Sequence, residues 1–164
     1  MKSCTHSRSR FAAPLLLTFL LLSGATGHTQ EASGEVAVVD GRAWALQTSS
    51  EAAPWAEALE HCETLEAGGF SDWRLPSLFE LESLFAAPPA GALPAQIQLD
   101  DCCAWSATNL VDIEPEAKGE LPDPAMGPEM YYWGLLFPDG IRYYSMNRFP
   151  DGVALCTRGT PDDG

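Results

Sequence analysis

Cys102 and Cys103 stand side by side, directly after Asp100 and Asp101. Adjacent thiols offer redox or metal-binding chemistry, but the thiolate is the reactive form, and neighbouring carboxylates raise a thiol's pKa. No histidine or basic residue lies close in sequence to offset them. A rigid corner ahead of Trp105, turned by the aspartates, is therefore preferred to a redox or metal site. A second candidate is the acidic stretch carrying Asp112, Glu114, Glu116, Glu120 and Asp123. Its oxygens could ligate calcium, which takes six to eight of them, but a solvated loop is the simpler reading. His61 falls off the apolar stripe of its helix and reads as a surface residue rather than a ligand. The chain has no His-Glu-x-x-His, no Gly-x-Ser-x-Gly and no glycine-rich phosphate loop. No catalytic residue, metal centre or cofactor is expected.

The compartment follows from the first residues. Lys2, Arg8 and Arg10 flank and precede an apolar run from Pro14 to Leu22, and Ala25-Thr26-Gly27 fits the small-x-small cleavage pattern. The run is too short to span a bilayer. Residues 1–27 thus read as a cleavable export leader, and cleavage would leave 137 of the 164 residues, a length that suits one core. Six basic residues would then face 23 acidic ones, a net charge of −17 against −14 for the whole chain. Such a charge disfavours nucleic acid, anionic lipid and sulfated polysaccharide as partners, and no membrane insertion is expected after cleavage. Cys62, Cys102, Cys103 and Cys156 remain, an even count that points to disulfides in an exported domain. Four cysteines allow three pairings, and spacing alone does not choose among them.

The elements that must position these residues are legible in part. Val36 to Val39 reads as a strand, Asp40-Gly41 as a turn and Trp44 to Leu46 as its partner. Trp55, Ala58, Leu59, Cys62 and Leu65 recur at helical spacing, with Glu57, Glu60, Glu63 and Glu66 on another face. Ser49 or Ser50 is expected to cap this helix and Gly68-Gly69 to end it. A second helix follows Pro76, where Ser77 and Glu80 have capping-box spacing, and stops near Ala86-Ala87-Pro88-Pro89. Cys103 to Thr108 reads as a strand, Asp112 to Pro128 as irregular, and Tyr131 to Phe137 with Ile141 to Ser145 as a hairpin turned at Pro138-Asp139-Gly140. Val153 to Thr157 reads as the last strand. This order predicts an α+β domain.

Gly68-Gly69-Phe70-Ser71-Asp72-Trp73-Arg74-Leu75-Pro76-Ser77, followed by Glu80-Leu81, resembles the hallmark of the Lcl C-terminal domain family. Val39-Asp40 with Trp44, Ala58 to Cys62, Trp105 to Thr108, Trp133 with Phe137 and Gly140, and Leu155 to Arg158 resemble its other blocks, in order. The resemblance spans about 36–158, between a loose mature N-terminus at 28–35 and a tail at 159–164. It implies a C-type-lectin-like fold, distantly related to formylglycine-generating enzymes, with two helices packed on a small, mainly antiparallel sheet. Asp72, Trp73, Arg74, Leu75 and Pro76, with Trp105, are read as structural: Trp73 fills the core and Arg74 bonds carbonyls or a carboxylate. In that fold the first helix is tied to the last strand, so the resemblance implies a Cys62–Cys156 pair. Cys102 and Cys103 then either bond to each other or remain free. An extended strand sends neighbouring side chains to opposite faces, so their eight-membered ring requires a local turn. Strain in such a ring would ease its reduction.

The function implied by the resemblance is a non-catalytic binding or adhesion module, periplasmic or secreted, that recognises a carbohydrate or a surface protein. Residues 109–130 lie about where lectin-like folds carry their recognition loop, without the Glu-Pro-Asn and Trp-Asn-Asp motifs of calcium-dependent sugar-binding lectins. One alternative is a structural or accessory envelope subunit presenting aromatics among Tyr131, Tyr132, Trp133, Tyr143 and Tyr144. The other is an oxidoreductase in which Cys102-Cys103 imitates the copper-holding cysteine pair of formylglycine-generating enzymes.

Overall fold

The computed structural model describes residues 35–164 except 89, 92, 100, 116–120 and 124. The expected leader, and the expected mature N-terminus as far as residue 34, lie outside the described residues.

Strands β1 (Val36–Val39) and β2 (Arg42–Ala45) form the first hairpin. Its linking residues Asp40 and Gly41 both have positive φ, 49° and 82°, the twist that suits a two-residue hairpin loop. Helix α1 (Trp55–Thr64) buries Ala58 and Cys62 and turns its glutamates to solvent. Neither Ser49 nor Ser50 caps it. Pro54 is the N-cap, and the Ser49 hydroxyl instead accepts the Ala154 amide at 2.9 Å. The helix also ends before the glycine pair: Gly68 and Gly69, both at positive φ, shape a turn that brings Ala67 against Phe70.

Strand β3 (Trp73–Arg74) leads into helix α2 (Leu78–Ala86), which has the full Ser77–Glu80 capping box. Strand β4 (Cys103–Asn109) runs into a one-turn helix, α3 (Leu110–Ile113). The Asn109 side chain accepts the Val111 amide and the Asp112 carboxylate accepts the Asn109 amide. This local box closes a helical turn ahead of the first proline, where irregular chain was expected to begin at Asp112. A 3-10 turn at Pro128–Met130 precedes the hairpin of β5 (Tyr131–Leu136) and β6 (Ile141–Met146), and β7 (Thr157–Arg158) closes the fold.

The domain is α+β, and its strands divide between two antiparallel sheets, ordered β1-β2-β7-β3 and β4-β5-β6. Residues 153–156, expected as ladder, cross between them. Val153 exchanges hydrogen bonds with Cys103 and Trp105 of β4, whereas the Ala154 and Cys156 carbonyls accept the amides of Ser49 and Ala45. Buried residues from both sheets and the helices form the core, with Trp73, Leu75 and Trp105 packed around Cys62 and Cys156. Leu81, Leu84, Leu135 and Leu155 fill a second cluster, and Leu78, Leu110, Tyr131 and Trp133 a third.

Gly134 of β5 is opposite Tyr143 of β6, whose hydroxyl donates to the Asp151 carbonyl at 2.7 Å. A Cβ at 134 would lie 2.5 Å from the Tyr143 Oη and 2.6 Å from its Cε1. The Gly134→Ala substitution should therefore destabilise the domain by about 1–3 kcal/mol through overpacking. Adding Tyr143→Ala should relieve part of that loss. Strictly additive effects in a urea-unfolding double-mutant cycle would show that the ring does not select the glycine.

Candidate functional site

The hallmark segment is held by a buried carboxylate. Glu80, 1% exposed, lies beneath the β3–α2 turn. Arg74 donates to both of its oxygens at 2.8 Å, and Arg42 approaches Oε1 at 2.7 Å. The Ser77 and Asp162 amides donate to it at 2.8 and 3.0 Å. Burial alone would push the Glu80 carboxyl up. The Arg74 hydrogen bonds and the two amides outweigh it and hold the group below the usual carboxylate range. Arg74 also donates to the carbonyls of Gly159 and Leu75. Asp72 accepts two hydrogen bonds from Arg158, which lower its pKa, and the Arg158 guanidinium lies 3.6 Å from the centre of the Phe70 ring. Trp73 is buried and donates to the Phe70 carbonyl. Leu75 is buried in the core, and the Pro76 carbonyl accepts the Ala107 amide. Sequence reasoning gave Arg74 carbonyls or a carboxylate as partners, as found, but treated Glu80 only as a helix cap and missed Arg42. Residues 159–164 are bound into this cluster through Gly159 and Asp162.

The cysteines form two bonds, Cys62–Cys156 and Cys102–Cys103. The first pair is inaccessible in the core, beside Trp105, whose indole donates to the Ala53 carbonyl at 2.8 Å. The second lies at the start of β4, with Cys102 exposed and its amide bound by the Asp101 carboxylate at 2.7 Å.

A groove of about 740 Å³ opens beside the hallmark. Its walls come from the β3–α2 segment, from β4 and α3, from Leu59 of α1, Arg142 of β6 and the C-terminal residues, and include Leu78, Phe79, Glu82, Thr108 and Ile113. Phe79 and Ile113 are 41% and 42% exposed. Glu82 accepts two hydrogen bonds from Arg142. Asp112 also faces the groove while capping α3. Asp123 accepts the Ala125 amide, and Glu116 and Glu120 lie outside the described residues. Among the described residues no group of three or more histidine, cysteine or carboxylate side chains is placed to hold a metal ion.

His61 departs from its reading as a surface residue. It is half-buried, its Nε2 has no hydrogen-bond partner among the described residues, and desolvation lowers its pKa against a bond to the Gln47 backbone. The aromatic side chains of β5 and β6 are engaged within the domain. Tyr132 stacks on Trp55 at 3.8 Å, and Trp133 and Tyr131 pack edge-on against Tyr144. Among the described residues no helix is long and apolar enough to cross a membrane.

Comparison with protein families matches residues 30–156 to the Lcl C-terminal domain. No curated protein and no solved structure matches the chain.

Proposed function

Because the chain belongs to the Lcl C-terminal domain family, we propose that it is an exported, non-catalytic binding module whose groove beside the hallmark takes a carbohydrate. The observation that carries this reading is the groove itself. Its volume, about 740 Å³, falls in the range of small-ligand sites. The exposed ring of Phe79 and the side chain of Ile113 offer apolar surface to the C–H face of a sugar. Glu82, Asp112 and Arg142 stand within the same walls to bond its hydroxyls. Export is supported by the leader-like N-terminus and by two disulfides, which persist in oxidising compartments.

Glycan-array binding by the mature chain, with and without calcium, tests the reading. A retained glycan should bind about tenfold more weakly to the Phe79→Ala or Ile113→Ala variant, the loss of roughly one apolar contact surface. Both substitutions are at exposed positions and should leave the fold intact. An array without retained glycans, or binding unchanged in both variants, would overturn the assignment. Capture of a protein partner through the same two residues would favour an accessory envelope subunit instead.

A further inference from the structure

We propose that Cys102–Cys103 is a reversible thiol–disulfide exchange site, reduced by an uncharged dithiol or by a partner protein's dithiol, and that it cycles while the rest of the domain stays folded. The two disulfides differ in access. Cys102 is exposed and Cys103 is 8% exposed, whereas Cys62 and Cys156 are both at 0%. They differ equally in what they hold. Cys62–Cys156 spans a sequence separation of 94, so it removes a large loop-closure entropy from the unfolded chain. A bond between adjacent residues closes no such loop, so opening it releases little chain entropy.

The backbone around the pair is secured without the sulfurs. The Cys102 carbonyl accepts the Phe137 amide at 3.0 Å, and the Cys103 carbonyl accepts the Val153 amide at 2.8 Å. Cys103 is also in register with Leu136 in the β4–β5 ladder. Nothing in these bonds requires the S–S link.

The chemistry balances with a dithiol as the reductant. One of its thiolates attacks the exposed Cys102 Sγ, the ring S–S bond breaks, and Cys103 leaves as a thiolate that takes up a proton. The second thiol of the reductant attacks the reductant's own sulfur in the mixed disulfide and releases Cys102 as a thiol. Two electrons and two protons pass to the protein, and the reductant departs as a disulfide. A disulfide oxidant reverses both steps. Charge selects among reductants. Asp101 adjoins the ring, and its carboxylate accepts the Cys102 amide at 2.7 Å. Anionic thiols such as glutathione are repelled from this surface.

The test is graded dithiothreitol on the oxidised, folded chain without denaturant, followed by alkylation and tryptic mapping. Cleavage after Arg74 and Lys118 isolates Cys102 and Cys103 on one peptide, separate from Cys62 and Cys156. Both cysteines of that peptide should become alkylated while Cys62 and Cys156 remain unlabelled and the near-UV circular dichroism is unchanged. Removing the dithiothreitol and adding an uncharged disulfide, hydroxyethyl disulfide, before alkylation should abolish the label. Glutathione as reductant should be slower than dithiothreitol, with the gap narrowing as salt is raised. Labelling of all four cysteines together, labelling of Cys62 and Cys156 first, or loss of the near-UV signal with the first label would overturn the proposal. So would a Cys102→Ser, Cys103→Ser variant that fails to fold, since the pair would then be a structural staple.

Discussion

Replacing Cys62 and Cys156 together with alanine should lower the unfolding free energy by about 4–5 kcal/mol in the chain-entropy description. The bond spans a separation of 94 residues and joins α1 to the chain just before β7. Both partners are fully buried beside Trp73, Leu75 and Trp105, so two sulfur-sized voids add to the loss. A domain of this length has about 5–15 kcal/mol in total, so the variant should be near the edge of folding at physiological temperature. Urea unfolding under oxidising conditions measures the effect. A loss below about 1 kcal/mol would mean that the unfolded chain is already compact enough to make the tie redundant.

The second large effect is expected at Glu80. A Glu80→Gln substitution keeps the shape but removes the charge that Arg42 and Arg74 share, and it turns one acceptor oxygen into a donor facing them. Breaking a buried pair by neutralising one side costs about 3–5 kcal/mol, and the partial exposure of the two arginines places this case at the lower end. The pH dependence has a definite sign. Glu80 has a folded pKa below its ordinary value of 4.5, so its contribution is present above that value. It is lost as the pH falls from there through the depressed folded pKa. The native chain should therefore weaken steeply on acidification below about pH 4.5, and E80Q should follow a flatter curve. Asp72 is lowered as well, by Arg158, and its share of the slope should survive in the variant. Parallel curves for the two proteins would refute the role assigned to Glu80.

Sequence reasoning recovered interactions that are local and lost most of those that are not, the Cys62–Cys156 tie being reached only through the family resemblance. The Ser77–Glu80 box was legible because both halves lie within one turn of helix. The remainder of the Glu80 site was not, since Arg42 comes from the first hairpin and Asp162 from the last residues of the chain. Ser49 has the right chemistry for a cap, but the Ala154 amide, 105 residues away, takes its hydroxyl. Gly68-Gly69 was expected to end α1 and does not. The helix ends earlier because Leu65 turns inward to the core in an extended conformation. Asn109 and Asp112 did carry a readable box spacing, which the prolines that follow obscured. The groove could not be read at all. Its walls come from five separated segments, and Phe79 differs from a buried helix residue only in which way the helix faces.

The crossing at residues 153–156 bears on how the molecule comes apart. One stretch of backbone is bonded to β4 on one side and to β2 and the Ser49 loop on the other. Neither sheet can therefore open by itself without breaking bonds to the stretch that also holds the other. In native-state hydrogen exchange, the amides of Val153, Trp105 and Ala45 should report the same opening free energy, that of global unfolding. Strand β1, its Asp40–Gly41 turn and the turn at Pro138 to Gly140 have no such bond to the crossing, and their amides should exchange through smaller fluctuations. Two sheets joined in this way behave as one foldon.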